Sequence, residues 1–471
     1  MLIKFTVKNF GSFKDEVSLN MNKLLANSKN NHATKHINKN TTGGFETLKA
    51  ATIYGANASG KTNLIQTIFF LTNWASGKLN IDSKIVFSND TKISNKFLLD
   101  DSSMRQHPSC FSIEFNTDKK AYRYSIDILD GLITKESLKQ IYSTKEDQII
   151  FLREYDNKAE NYNSASIGEY YKIKENLDEV ISAIKISDSN QPMLSQFLER
   201  SFSAETKKST FFQDIGDAIS WLKNDNISYR DGKPGGKFFE LMEGNNDFKA
   251  FLLDLVQKYD LGTIYDISND DLSDQEKDSL YSKFPPLKDL IFQLPTKDKK
   301  KQMAFLGFEQ ERYLINKESN ETVTIKSLRL VRKNSDNQPI AFNFSRESQG
   351  TAKIIDLAMF FYQGFNKNKT IIIDEAESSL HTVIIRDLLD SLLNNEEMEN
   401  VQFIITTHSE SLFDLNLFRG DEIWLMNKKN DGSSCLNSLS DFKDKNNKNI
   451  RYDKKILNDY LRGRYGGIPR I

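Results

Sequence analysis

Gly55-Ala56-Asn57-Ala58-Ser59-Gly60-Lys61-Thr62 is a complete G-x-x-x-x-G-K-[ST] phosphate loop. It follows the apolar run Ala50-Ala51-Thr52-Ile53-Tyr54 and precedes Leu64-Ile65, so a strand leads in and a helix leads out, as the motif requires. Glycines let the backbone curl until successive N–H groups face phosphate oxygens; the lysine reaches the β- and γ-phosphates and the hydroxyl faces Mg2+. Gly55, Asn57, Ser59, Gly60, Lys61, Thr62 and Asn63 are therefore the expected nucleotide contacts, with Thr62 also expected on the metal.

Outward from this loop, the complementary half of a nucleotide site stands far downstream. Lys369-Thr370-Ile371-Ile372-Ile373-Asp374-Glu375 reads as a buried strand ending in two acids, at the carboxyl edge where open α/β sheets place ligands. In this Walker B pattern Asp374 is the magnesium-shell residue and Glu375 the group that orients or deprotonates the attacking water. Val401-Gln402-Phe403-Ile404-Ile405-Thr406-Thr407-His408-Ser409 is a further strand, one crossover unit later, and its terminal His408 is placed to sense a γ-phosphate.

Lys61 and Asp374 lie roughly 300 positions apart, too far for one compact nucleotide fold unless another unit is inserted. Just before the second half, Ser348-Gln349-Gly350-Thr351 opens a helical run through Ile354, Ile355, Leu357, Ala358, Phe361 and Tyr362. Small residues at a helix N-terminus bind anions, although a lone Ser-x-Gly is more often an ordinary cap.

The order of these parts resembles the ATP-binding-cassette class of ATPases, in its chromosome-maintenance, RecF and OLD branch. Phe5-Thr6-Val7-Lys8-Asn9-Phe10-Gly11-Ser12-Phe13 looks like that branch's first strand and adenine-side loop, which implies a nucleotide contact at Asn9. Ser348 and Gly350 stand where its signature motif stands, Glu377-Ser378-Ser379-Leu380-His381 looks like the D-loop, and His408 matches the switch histidine. The signature reads Glu-Ser-Gln-Gly-Thr in place of Leu-Ser-Gly-Gly-Gln, and no Q-loop stands out near 102–116, where Gln106 is one of several polar residues. Asp421-Glu422-Ile423-Trp424 and Tyr460-Leu461-Arg462-Gly463-Arg464-Tyr465-Gly466-Gly467-Ile468-Pro469 resemble most closely the bacterial AAA-type family of abortive-infection and anti-phage loci, including the ATPase subunit of PARIS-type systems.

The resemblance implies an α/β ABC-type (P-loop NTPase) head with a mixed sheet, ATP and Mg2+ as cofactors, and a head-to-tail dimer. Each composite site takes its phosphate loop, Asp374, Glu375 and His408 from one copy and Ser348 and Gly350 from the other. It also implies an anti-phage sensor or scaffold controlling a separate effector, such as a Toprim-type nuclease. The stretch after His408 is short and carries no Glu followed by an Asp-x-Asp cluster, so a nuclease of that kind is expected in another chain. The alternative is a DNA-maintenance ATPase that clamps a duplex.

Composition points to a cytoplasmic protein. The 471 residues, 38 % hydrophobic with 32 Phe, suffice for two or three domains, and no apolar stretch approaches the roughly 20 residues of a membrane span. The start Met1-Leu2-Ile3-Lys4-Phe5 reads as a strand and not as a signal peptide. Cys110 and Cys435 make neither a disulfide framework nor a metal spacing. A formal net charge of −1 neither demands nor excludes nucleic acid. The basic clusters at 297–301 and 443–455 read as solvated loops that can guide a polyanion.

Along the chain, residues 1–134 read as an N-terminal ATPase lobe and 321–471 as a C-terminal one. A polar loop is expected at 27–40, and alternation marks half-buried strands at 110–115 and 122–128. Residues 135–320 read as a mainly helical insertion: Ile173, Leu177, Val180, Ile181 and Ile184 share one helical face, and further apolar groups begin at Phe238 and Phe248. No heptad pattern persists, so a compact insertion is expected and not a long coiled coil.

Overall fold

A computed structural model describes residues 1–23, 44–79, 97, 99, 106–156, 161–162, 166–224, 226–229, 236–259, 264–294, 302–308, 311–317, 322–365, 369–443, 450 and 456–468. The expected loop at 27–40, the cluster at 297–301 and nearly all of 443–455 lie outside those residues. The chain forms two compact units: Met1–Ser228 with Gly364–Glu377 and Ile385–Ile471, and Tyr229–Gln363 with Ser378–Ile384.

In the first unit, strands β1 (Leu2–Lys8) and β2 (Val17–Asn20) are followed by β3 (Ala50–Gly55), which feeds the helix Lys61–Ala75. Strands β4 (Ser109–Asn116), β5 (Ala121–Leu129), β6 (Leu132–Gln140), β7 (Gln148–Glu154) and β8 (Ser166–Ile167) join the first two in an antiparallel sheet ordered β2-β1-β4-β5-β6-β7-β8. Alternate residues of β5 point inward, as a sheet with one covered face demands. Short helices between 169 and 224 complete the layer, with Trp221 stacked 4.2 Å from Phe115 in the core.

Residues 135–154 therefore continue a sheet where helix was expected. The apolar alternation fails there because an inward position carries Glu136, fully buried with Arg153. Arg153 donates to Glu136 through Nε (2.8 Å), Tyr124 Oη donates to the same carboxylate (2.9 Å), and the Met193 N–H adds a further bond (2.8 Å). A buried charge is tolerated only when paired and fully hydrogen-bonded, and this knot meets that condition. The helical face expected from Ile173 to Ile184 breaks at Glu175–Leu177, leaving Ile173 83 % exposed while Val180 and Ile184 are buried.

Strand β9 (Asn226–Tyr229) leads to the second unit, whose sheet holds β10 (Ile264–Asp271), β11 (Gln302–Phe308), β12 (Glu311–Lys317), β13 (Val323–Lys333) and β14 (Pro339–Asn343). The antiparallel order is β10-β13-β12-β11, with β14 also on β13. Helices Gly236–Gly244 and Asn246–Tyr259 bury Phe238, Phe239, Phe248 and Leu252, and Phe248 packs on Tyr362 (5.1 Å) of the helix Gln349–Gly364. Residues 135–320, expected to be mainly helical, thus hold strands β7, β8 and β10–β12 beside their helices. Strands β10, β11 and β12 gave no clear alternation because they carry charged residues, such as Arg312, which pairs with Asp356 at 3.1 Å.

The chain then returns to the first unit through β15 (Lys369–Ile373), β16 (Val401–Thr407), β17 (Ile423–Lys428) and β18 (Ser434–Ser438). With β3 and β9 they make a mixed sheet ordered β18-β17-β3-β16-β15-β9. Pairings of β17 with β3, β3 with β16 and β16 with β15 are parallel, and β17 with β18 is antiparallel. β3 (Ala-Ala-Thr-Ile-Tyr-Gly) and β16 (Val-Gln-Phe-Ile-Ile-Thr-Thr) are buried at every position, as in a parallel sheet covered on both faces. Gln402, fully buried in β16, spends its amide on the Leu2 and Leu48 carbonyls (both 3.0 Å), joining the two sheets.

Candidate functional site

Because β3, β16 and β15 are parallel neighbours, Gly55, Thr407 and Ile373 end at one edge of the sheet. The phosphate loop turns there through left-handed conformations at Ala58 (φ 59°) and Gly60 (φ 114°). A Cβ on Gly60 would collide with the side chains of Ser434 and Ser12, and one on Gly55 would lie 2.7 Å from the Met426 carbonyl oxygen. Both glycines are dictated by close approach. Ser434 braces the loop: its Oγ donates to the Ser59 carbonyl (2.6 Å), and its N–H donates to the Ser12 carbonyl (2.7 Å). Ser434 lies 375 positions from Ser59, and no local signal marked it. Asn57 and Ala58 form the exposed tip, while Thr62 and Asn63 sit half-buried at the helix start.

Lys61, buried, donates to the carbonyls of Gly55 (2.7 Å) and Ala56 (3.2 Å) and to Nε2 of His408 (2.9 Å). Burial pulls the Lys61 ammonium down to about 8, against the opposing pull of Glu377, Asp374 and Glu375. Burial, and then the neighbouring ammonium, also hold His408 below its ordinary value. Two cations cannot share this contact cheaply, so the imidazole is the neutral acceptor.

The acids are set by Thr406. Its Oγ1 donates to Asp374 Oδ1 (2.5 Å) and accepts the Glu375 N–H (2.8 Å), while its carbonyl accepts the Ala376 N–H (3.1 Å). Glu375 is exposed and left-handed (φ 48°), a conformation costly for a residue with a Cβ. Glu377 accepts the His408 N–H (2.5 Å). Glu377, in the stretch that resembles a D-loop, is the strongest of the charges that pull the Lys61 ammonium upward.

Asn9 directly follows β1. It is fully buried at φ 52°, and its amide nitrogen donates to the His107 carbonyl (2.9 Å), while its own carbonyl accepts from Ser109 (2.6 Å). Gln106 is exposed nearby. In the second unit, Ser348 is the exposed N-cap of the helix Gln349–Gly364, its Oγ accepting the Thr351 N–H (3.1 Å). Gly350 lies against the Ser379 backbone, a Cβ there being 3.1 Å from its carbonyl oxygen.

Residues 51–414 match the protein family described as "AAA domain, putative AbiEii toxin, Type IV TA system". The chain belongs to this family. No curated protein matches this AAA-domain chain in sequence. Among solved structures it is similar to "SMC head domain from Thermotoga maritima" at 11 % identity, with 93 % of this chain and 98 % of that one covered and a TM-score of 0.35. It is also similar to the "SmcHead bound to the C-winged helix domain of ScpA" (13 %, 93 % and 97 %, 0.37). A third is the Smc head with an extended coiled coil bound to the C-terminal domain of ScpA, from Pyrococcus furiosus (14 %, 93 % and 96 %, 0.32).

The donor chemistry of this AAA-domain site suits Mg2+. Thr62, Asp374 and Glu375 offer hard oxygens at the ends of the phosphate loop and β15. Among the described residues no group of three or more His, Cys, Asp or Glu side chains forms a metal cage. Magnesium needs none, because it is usually held by one or two protein oxygens together with waters and substrate phosphates. No described helix is long and apolar enough to cross a membrane.

Proposed function

We propose that this AAA-domain protein is an ATPase whose ATP·Mg2+ complex sits at the phosphate loop and closes two copies head to tail. The observation that carries the reading is the convergence of Lys61, His408, Asp374 and Glu375 on one strand edge, with Thr406 bridging the two acids. Phosphates fit the N–H groups of the loop and of the following helix, where the helix dipole favours anions. Lys61 can exchange its carbonyl partners for phosphate oxygens, gaining charge-assisted bonds.

Thr62 and Asp374 would hold the magnesium, which when bound neutralises charge on the phosphates and aligns them. Glu375, exposed at the strand end, is suited to orient the attacking water and accept its proton. His408, neutral and in contact with Lys61, can donate its ring N–H to the terminal phosphate. In this reading Ser348 and Gly350 of a second copy complete the site. Moving such a pair from mostly open to mostly closed takes roughly 5 kcal/mol of differential affinity.

The biological reading, supported by the family's AbiEii description, is the sensor or scaffold ATPase of a bacterial anti-phage system that holds a separate effector. The test pairs magnesium-dependent phosphate release with capture of the product of the neighbouring reading frame. Release with a co-purifying effector is the expected result. Absence of both turnover and nucleotide binding sinks the ATPase, and salt-sensitive, ATP-dependent DNA binding without an effector replaces defence by DNA clamping.

A further inference from the structure

A cavity of about 980 Å³ opens beside the phosphate loop, and one wall of it is formed by the segment 456–468. Gly55, Asn57 and His408 line it, as do Arg464, Tyr465 and Gly466. The segment is anchored to the strand that feeds the loop: Tyr460 stacks on Phe413 (4.2 Å), and Phe413 meets Tyr54, the residue before Gly55, edge to face (4.8 Å). Tyr460 Oη donates to the Gly467 carbonyl (3.1 Å), and the Gly467 N–H donates to Asn427 Oδ1 (2.5 Å) at the end of β17.

Gly466 and Gly467 are both left-handed (φ 75°), and a Cβ on Gly467 would lie 3.0 Å from Leu425. Glycine is needed here so that the backbone can lie against β17. Arg464 is thereby delivered to the cavity. Its guanidinium donates to the Asp459 carboxylate (3.1 Å) and to the Lys443 carbonyl (3.1 Å), and it remains 32 % exposed. An exposed ion pair of this kind contributes little, so it can be exchanged for a stronger acceptor. Lys428 and Lys429, the latter paired with Asp15 (2.7 Å), share the lining with Arg464, and Glu410 is the acid among the described lining residues, so the lining carries more cations than anions.

We propose that Arg464 recognises the terminal phosphate of the nucleoside triphosphate bound at the phosphate loop, so that the segment 456–468 reads triphosphate against diphosphate from within the same chain. This rests on the nucleotide site proposed above. The direction follows from His408, which lines the cavity and contacts Lys61, the amine that serves the outer phosphates. A guanidinium fork presents parallel donors to phosphate oxygens that a lysine cannot reproduce.

The experiment measures ATP and ADP affinities by calorimetry for the full-length wild type, Arg464→Gln and Arg464→Lys, with a thermal melt of each. Loss of a charge-assisted phosphate contact predicts ~10- to 100-fold weaker ATP binding in Arg464→Gln, with ADP changed less than about twofold and Arg464→Lys intermediate. Unchanged ATP affinity overturns the inference, and so does an equal loss for both nucleotides, which marks a merely structural role. Should Arg464→Gln fail to fold, Asp459→Asn frees the arginine: a raised ATP-over-ADP preference is expected, and an unaltered one overturns the idea. A wild type that binds neither nucleotide removes the nucleotide site itself, a result distinct from the Arg464 failure.

Discussion

Thr406 Oγ1 stands 2.5 Å from Asp374 Oδ1 and takes the Glu375 N–H at 2.8 Å, so a single hydroxyl orients both adjacent acids. The proton of the hydroxyl goes to the carboxylate and its lone pair to the amide. Threonine at this place is therefore a positioning residue, acting through Asp374 and Glu375.

Removing that hydroxyl tests the arrangement. Thr406→Val keeps the volume but loses both bonds and leaves a buried carboxylate oxygen and an amide without their partner. ATP turnover should fall ~10- to 100-fold with ATP affinity changed far less, because the loss is one of orientation. Thr406→Ser should recover most of the rate in a phosphate-release assay, and failure of that rescue would point to packing as the cause.

Glu375 makes a second test. Glu375→Gln should bind ATP yet hydrolyse it at least ~100-fold more slowly. Undiminished steady-state turnover would remove it as the base. Since φ is 48° there, Glu375→Asn should not lower the melting temperature, asparagine being more at ease in the left-handed region.

Lys61→Ala should abolish tight ATP binding, and the wild type should show a defined pH dependence. In the free protein the ammonium is pulled down to about 8, whereas a bound polyphosphate raises it. Binding is then independent of this group well below pH 8 and weakens as pH rises through 8 and above, with about half a proton taken up per ATP at pH 8. Calorimetry in buffers of different ionisation enthalpy reads this uptake. The stability sign is distinct: a lysine depressed in the fold disfavours the native state at low pH, and that cost is relieved as pH rises from about 8 toward the unfolded value.

Association in trans is tested at the signature helix. Ser348→Arg places a bulky cation on an exposed cap. Nucleotide affinity of the single chain should persist while ATP-dependent pairing, read by sedimentation, is lost. Normal association of the variant would remove the head-to-tail arrangement.

The Glu136–Arg153 pair predicts a stability effect remote from the nucleotide. Arg153→Leu leaves a fully buried carboxylate without its cation and should cost about 3–5 kcal/mol, read as a lower denaturant midpoint. A loss below about 1 kcal/mol would show that the carboxylate is served by Tyr124 and the Met193 amide alone.

Where chemistry and position are encoded in adjacent residues, the chain could be read directly. The phosphate loop, the Ile-Ile-Ile-Asp-Glu strand and the His408 strand each announce themselves through glycine spacing or an apolar run, because backbone curl and burial are local demands. The strands at 132–154 and 264–317 did not, since their inward positions hold Glu136, Glu311 and Arg312, charges made tolerable only by partners elsewhere in the chain. Ser434 under the phosphate loop, Thr406 between the two acids and Arg464 in the cavity wall share that origin. Each acts through a hydrogen bond or a close approach between residues far apart in sequence, and such pairings exist only once β15, β16, β3, β17 and β18 lie side by side.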